Sequence, residues 1–262
     1  MKPAICFEML YPGLKPEEKI AKVAAHGFKY VEFWSWRDKD IDAIKAACDA
    51  HGVQVVNFSG QRQGDLVDDT THQTILDDMA SALESAAVLG NDTMMVLTNE
   101  LGDEGVVVNH FADMDPAEKR ANCVAGLKKL MSALPRDKKL VLEPLNTKLD
   151  HVGYFLPDLE SAKGILEEVD DSRLGILCDF YHQGMMGDDP FELIGKYTNY
   201  MGYIHIADYP GRHEPTIPEN DWTGVLRGLK AAGYDGYVGF EFCPEGDSDK
   251  ALERIQALWN SL

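Results

Sequence analysis

The chain has 262 residues, 45% of them AVILMFWYC, and carries 25 Lys+Arg against 44 Asp+Glu, a formal net charge of −19. That is the composition of a soluble globular protein, and with a sequence pI near 4.7 it repels any polyanion bound through phosphate neutralisation, which excludes nucleic acid as the expected partner. Five scattered cysteines without a CxxC pair argue against a disulfide framework or a cysteine-zinc site. The N-terminus does not read as a signal peptide, and no apolar run is long enough to span a membrane, so the expectation is a cytoplasmic protein.

One phrase recurs along the chain: the end of an amphipathic helix, a glycine, a few residues, then a short β-rich run. It appears around Gly27, Gly52, Gly90 and Gly233. Glycine suits the left-handed conformation in which a chain leaves a helix, so each phrase predicts a helix stopping and a strand starting. Strands are predicted near Ala4–Phe7, Tyr30–Phe33, Gln54–Phe58, Thr93–Leu97, Leu140–Glu143, Leu174–Cys178, Tyr203–Ile206 and Tyr237–Phe242. They are short, apolar and often β-branched, as strands covered on both faces should be. Helices are predicted near Pro16–His26, Asp40–His51, Thr70–Leu89, Pro116–Leu134, Leu159–Val169, Pro190–Tyr197, Asp221–Ala232 and Asp247–Trp259, with Pro16, Pro116 and Pro190 in first turns.

Eight strands each followed by a helix is the count of a (β/α)8 TIM barrel, an α/β fold. An open doubly wound sheet would be expected to carry a glycine-rich phosphate turn after the first strand, and EMLYPGLKPEE has no such turn. No linker divides the chain, so a single domain over residues 1–262 is expected. The strand-to-helix connections Gly60–Asp69, Thr98–Asp115, Pro144–Pro157, Phe180–Asp189 and Ala207–Asn220 are long, which places the elaborated face, and the chemistry, at the C-terminal mouth of the barrel.

The ends of strands five to eight carry Glu143, Asp179, His205 and Glu241. Four consecutive strands span half the mouth, so these side chains can converge. Three carboxylates and an imidazole make a mostly oxygen site suited to Mn²⁺ or Mg²⁺, with Co²⁺ or Zn²⁺ also admissible. Each acid taken singly could as well cap a helix, and His205 alone could be a satisfied core histidine. Together they would repel strongly without a cation, which favours a metal site. His182 and Arg212 stand at the same mouth as donors for substrate hydroxyl, carboxylate or phosphate oxygens, against the plainer reading of each as a loop-stabilising residue. Trp34 and Trp36 either wall the pocket or pack against loops, and Glu8 and Glu32 read as supporting or structural groups.

LEPLNTKLDHVGYFLPD, ILCDFYHQGMM, IHIADYPGRHEP, GYDGYVGFEF and, more weakly, GFKYVEF resemble the xylose isomerase-like barrel superfamily, and within it the hydroxypyruvate isomerase branch. The resemblance implies a divalent metal on Glu143, Asp179, position 205 and Glu241, the two glutamates as acid and base, and His182 and Arg212 on the substrate. One position departs: the branch favours Gln where this chain has His205, the residue type of the tagatose 3-epimerase branch. The strand ends in FWSWRDKD and NFSGQRQGD match neither branch, and substrate choice is expected to reside there.

The function expected is a metal-dependent isomerase of a small α-hydroxycarbonyl compound, of the hydroxypyruvate and tartronate semialdehyde type or a related keto-sugar, working through an enediolate. A ketose 3-epimerase and a dehydratase use the same parts and stay open. So does a non-catalytic sugar- or metal-binding barrel, although both acid/base glutamates are present. An endonuclease on this scaffold would want more histidine ligands and a basic groove, which the charge opposes. Homo-oligomerisation also stays open.

Overall fold

The computed structural model describes all 262 residues. Eight parallel strands, β1 (Lys2–Cys6), β2 (Tyr30–Glu32), β3 (Gln54–Asn57), β4 (Thr93–Val96), β5 (Lys139–Leu142), β6 (Leu174–Asp179), β7 (Met201–Ile206) and β8 (Tyr237–Phe240), form one sheet in the order β3-β2-β1-β8-β7-β6-β5-β4. The seam between β3 and β4 closes just beyond the strands: Met95 N donates to Phe58 O at 3.0 Å, Gly60 N donates to Met95 O at 2.6 Å, and Ser59 bridges Met95. The result is a (β/α)8 TIM barrel.

The outer helices are α1 (Pro16–Ala25), α2 (Ile41–His51), α3 (His72–Leu89), α4 (Pro116–Ala133), α5 (Leu159–Val169), α6 (Phe180–Met186), α7 (Pro190–Tyr197), α8 (Trp222–Ala231) and α9 (Ser248–Asn260). No helix is long and apolar enough to cross a membrane. Aspartates account for the starts of seven of them: Asp40, Asp115, Asp158, Asp179, Asp189, Asp221 and Asp247 each accept a hydrogen bond from a backbone N–H of the first turn. Part of the chain's acidity is therefore structural.

The structure corrects the sequence reading between Phe180 and Asp189. That stretch is not a long loop: α6 begins immediately after β6, because Asp179 both ends the strand and caps the helix. Strands five and eight also stop one and two residues earlier than expected, at Leu142 and Phe240, so Glu143 and Glu241 lie just past their strands. The strands and the inner faces of the helices share one connected hydrophobic core, with Ile5, Leu142, Ile176, Ile204 and Phe240 fully buried.

Candidate metal centre and active-site pocket

The barrel brings Glu143, Asp179, His205 and Glu241 to one buried centre. His205 Nδ1 lies 3.4 Å from Glu241 Oε2, 3.8 Å from Glu143 Oε1 and 4.0 Å from Asp179 Oδ2. Backbone register explains the placement, since Asp179 pairs with His205 and His205 with Gly239 across β6, β7 and β8. Gly239 is required here: a Cβ at that position would stand 2.7 Å from His205 Cδ2 and collide with the Glu32 carboxylate. Glu143 is fixed from behind by Tyr154, whose hydroxyl donates to Glu143 O at 2.9 Å and accepts from Thr98 N at 2.8 Å.

Two features fit a cation. Ligand atoms bound at about 2.0–2.2 Å to one ion stand about 3.0–3.5 Å from each other, close to the spacing seen here. His205 Nδ1 and Asp179 Oδ2 are also buried without a hydrogen-bond partner, an arrangement that costs free energy unless something else engages them. Asp179 Oδ1 is already committed, accepting from Tyr181 N at 2.8 Å to cap α6, so capping and ligation do not compete.

Glu32, read from sequence only as a supporting or structural group, has a specific task. Its Oε2 lies 3.1 Å from His205 Nε2 and 3.2 Å from Asn57 Nδ2. A carboxylate accepts only, so Nε2 carries a hydrogen, and Nδ1 is the ring nitrogen left to face the acid cluster. Trp34 also belongs to the site, its indole N–H donating to Glu241 Oε1. Trp36 instead packs in the core against Phe58 and donates to Ser81 Oγ at 3.1 Å, while Glu8 pairs with Lys39 at 2.9 Å and accepts from the Trp34 backbone N–H at 2.9 Å.

His182 and Arg212 meet at the same mouth. Arg212 Nη2 pairs with Glu241 Oε2 and stands 3.5 Å from Asp179 Oδ2, while Nη1 lies 3.2 Å from His182 Nε2. Asn146, which the sequence did not single out, sets the tautomer of His182. Its Oδ1 accepts from Leu149 N and Asp150 N, which leaves Nδ2 to donate to His182 Nδ1 at 2.8 Å and to Asp150 Oδ2 at 2.7 Å. Arg212 Nη1, also a donor, lies farther off at 3.2 Å from Nε2, so the shorter Asn146 contact sets the tautomer. With Nδ1 an acceptor, the neutral ring holds its hydrogen on Nε2, 3.5 Å from Asp179 Oδ2, and Arg212 touches that nitrogen without a hydrogen bond. Although Glu143, Asp179 and His182 are close enough to form a second ligand triad, that tautomer makes His182 a donor into the pocket rather than a ligand.

Burial dominates the electrostatics. It raises the Glu143 carboxyl to about 7 against the pull of His205, and it raises Asp179 against Arg212 and His205. Glu241 feels the same burial, but Arg212 and His205 overcome it and hold that carboxyl well below the usual range. Burial would discharge His205, yet Glu32 and Glu241 keep its pKa well above the ordinary value, so the metal-free ring also carries a proton on Nδ1, which a cation would displace on binding. For His182, burial and the neighbouring Arg212 act together and keep the ring neutral.

Above the cluster opens a cavity of about 420 Å³, lined by Glu143, Glu241, His182 and Arg212 and further by Trp34, Arg62 and His151. Its size falls in the range of small-molecule sites.

Comparison with known proteins follows the same lines. The 2-oxo-tetronate isomerase of Cupriavidus necator is 29% identical over 244 residues, 90% of each chain. A protein of Streptomyces coelicolor provisionally named hydroxypyruvate isomerase is 29% identical over 261 residues, 91% of this chain and 89% of that one. Among solved structures, an AP endonuclease, family 2, from Brucella melitensis superposes with a TM-score of 0.88 at 24% identity, covering 98% of both chains. The 3-keto-D-glucoside 4-epimerase of E. coli gives 0.81 at 22%, covering 99% of both. The IolI protein, whose crystal structure holds a zinc atom, gives 0.75 at 17%, covering 100% of this chain and 97% of that one. At these identities the structural likeness speaks for the fold. The model of the xylose isomerase-like TIM barrel family matches residues 20–259, nearly the whole barrel from α1 to α9, and the chain belongs to that family.

Proposed function

We propose that this chain is a hydroxypyruvate isomerase-like enzyme, a metal-dependent aldose-ketose isomerase that interconverts a small α-hydroxycarbonyl substrate through an enediolate. The observation that carries this reading is the bare, buried His205 Nδ1 facing three carboxylates within 4.0 Å. Its relatives' names point the same way, as 2-oxo-tetronate and hydroxypyruvate isomerases.

Glu143, Asp179, His205 and Glu241 would hold the cation, Mn²⁺ or Mg²⁺ by the oxygen-rich donor set, with Co²⁺ or Zn²⁺ admissible. Bound there, a divalent cation supplies positive charge against the carbonyl and hydroxyl oxygens of the substrate and so lowers the cost of ionising the C–H bond between them. The residues of the chain do the rest. Glu143 and Glu241 flank β6 and β7 from the ends of β5 and β8, so a substrate between them has a carboxylate on either side. One removes the proton from carbon and one returns it. His182 donates its Nε2–H to a substrate oxygen, and Arg212 holds Glu241 in place while adding positive charge at the oxygens. Trp34, bonded to Glu241, covers that side of the pocket.

The same pair of flanking acids supports a second reading, ketose 3-epimerisation, in which the proton returns to the other face of the same carbon. The test is direct. Glu143→Gln and Glu241→Gln, loaded with Mn²⁺ and supplied with hydroxypyruvate, tartronate semialdehyde and ketoses in D₂O, are expected to lose turnover and solvent-deuterium incorporation by at least about a hundredfold with unchanged circular dichroism. Near-normal turnover in either variant rejects the assignment. NMR of the products separates isomer, epimer and dehydration product.

A further inference from the structure

The pocket is acidic, and its positive charges are mostly committed. Arg212 is paired with Glu241 and Asp179, and His151 places Nδ1 2.7 Å from Gly105 O. Arg62, on the loop after β3, is different. It lines the same cavity as Glu143, Glu241, His182 and Arg212, yet its guanidinium makes no hydrogen bond or ion pair within the protein, including with Asp103 and Glu104 on the facing loop.

The loop that carries Arg62 is nonetheless held firmly. Ser59 Oγ donates to Gln61 O at 2.7 Å, and the Gln61 carboxamide bridges Leu97 O at 2.9 Å and Leu97 N at 3.2 Å. The buried Asp78 of α3 accepts from the backbone N–H groups of Arg62 and Gln63 with one oxygen and from Arg37 with the other. Asp78 thus fixes the Arg62 backbone while Arg37 takes up its charge, and the Arg62 side chain remains available for a ligand. The cavity wall also includes Met95, Leu97, Leu101 and Leu145, which cannot satisfy hydroxyl groups. A neutral ketohexose would leave several hydroxyls against that wall at a cost. A short acid puts its polar groups at its two ends.

We propose that Arg62 is a specificity-determining residue that grips the carboxylate of the substrate and so selects short hydroxy-keto acids over neutral ketoses. The proposal rests on the isomerase reading above and adds the residue that makes this choice. A guanidinium fork matches a carboxylate with two parallel hydrogen bonds, so the acid end is oriented as well as attracted, with its hydroxycarbonyl toward Glu143 and Glu241.

The experiment compares Mn²⁺-loaded wild type, Arg62→Gln and Arg62→Lys on hydroxypyruvate and on a four-carbon hydroxy-keto acid, against dihydroxyacetone and a neutral ketopentose. Wild type is expected to prefer the acids. Arg62→Gln is expected to lower the acid-to-neutral ratio of kcat/KM on the order of a hundredfold, chiefly through KM, and Arg62→Lys to recover part of it. A ratio in Arg62→Gln within threefold of wild type, or a wild type that prefers neutral ketoses, overturns the proposal and leaves the isomerase reading standing. If no compound turns over, the isomerase reading fails by itself, and calorimetric binding of glycerate decides about Arg62. Glycerate has the carboxylate without the carbonyl, and binding at least about tenfold weaker in Arg62→Gln supports the contact, whereas equal affinity refutes it.

Discussion

Replacing Glu32 by Gln should weaken divalent-metal binding without unfolding the barrel. Glu32 and His205 are both buried, at 2% and 4% exposure, and their 3.1 Å hydrogen bond joins a full negative charge to the ring N–H, so it belongs to the class worth about 1.5–3 kcal/mol. Glutamine keeps the shape and an accepting oxygen but loses the charge, which removes about half of that value, roughly 0.8–1.5 kcal/mol, or a factor of about four to twelve in affinity. The upper end of that factor meets the tenfold to hundredfold range typical of groups that orient a metal-bound histidine. Stability of the metal-free form should fall only modestly, because glutamine keeps the hydrogen bond to His205 and Glu241 still faces the ring. The assay is calorimetric titration of chelator-stripped protein with Mn²⁺, alongside thermal unfolding of the metal-free form. Affinity within twofold of wild type would show that Glu32 does not orient His205 toward a cation. A large drop in metal-free melting temperature would show that any lost affinity came from the fold instead.

Two further outcomes follow from contacts elsewhere. In Asn146→Ala the donor at His182 Nδ1 is gone, so ¹⁵N shifts of the His182 ring should show Nε2–H alone in wild type and a mixture of tautomers in the variant, with kcat falling about tenfold; a wild-type ring protonated on Nδ1 contradicts the tautomer assigned here. Asp249 ties α9 to the N-terminal part of the chain, accepting from Tyr11 Oη at 2.6 Å with His26 Nε2 at 3.0 Å and Lys22 Nζ at 3.5 Å. Those partners, Tyr11 first and then His26, lower its carboxyl from 3.8 to about 2. A carboxylate lowered on folding stabilises the protein fully above the unfolded value near 4 and loses that contribution as pH falls through 2. The full shift would be worth about 2.5 kcal/mol, but the side chain is 41% exposed and solvent screening cuts this to about 1 kcal/mol. Asp249→Asn should therefore be about 1 kcal/mol less stable than wild type in urea at pH 7 and converge with it near pH 2. A constant difference across that range would refute the linkage.

How much was legible in the sequence depends on whether local pattern or long-range packing sets the feature. The glycine at four helix exits, the short apolar strands and the long loops on one face are local signals, and they place all eight strands and the face that carries the candidate site. Glu143, Asp179, His205 and Glu241 were legible because register carries strand ends to a common rim. The α6 helix was not, since Asp179 reads equally as a strand end and as a cap, and only the fold shows that it is both. The pairing of Glu32 with His205 joins residues 173 positions apart, and the bond from Asn146 to His182 joins residues 36 apart. No periodicity reports such contacts. Arg62 was hidden for a different reason: its distinguishing property is the lack of a partner, which a sequence does not display. The loop in which it lies, NFSGQRQGD, is nevertheless one of the two strand ends, with FWSWRDKD, whose departure from the family pattern points to substrate choice.

One physical device recurs through the site. Several two-ended polar groups have one end consumed by the scaffold, so that only the other can act. Asp179 spends Oδ1 on the cap of α6 and keeps Oδ2. His205 spends Nε2 on Glu32 and keeps Nδ1. His182 receives Asn146 at Nδ1 and keeps a donor at Nε2. Glu241 takes Trp34 on Oε1 and turns Oε2 toward Arg212 and His205. Each commitment removes a rotamer, tautomer or hydrogen-bonding alternative before any ligand arrives, so the reorganisation that charge development would otherwise demand is met during folding. It also accounts for how a chain of net charge −19 can gather acids under one barrel mouth: the scaffold holds them through bonds that do not use the atoms facing the centre. The corollary is that substitutions at the committed ends, Glu32 and Asn146 among them, should impair metal affinity or turnover while leaving every residue that faces the centre in place.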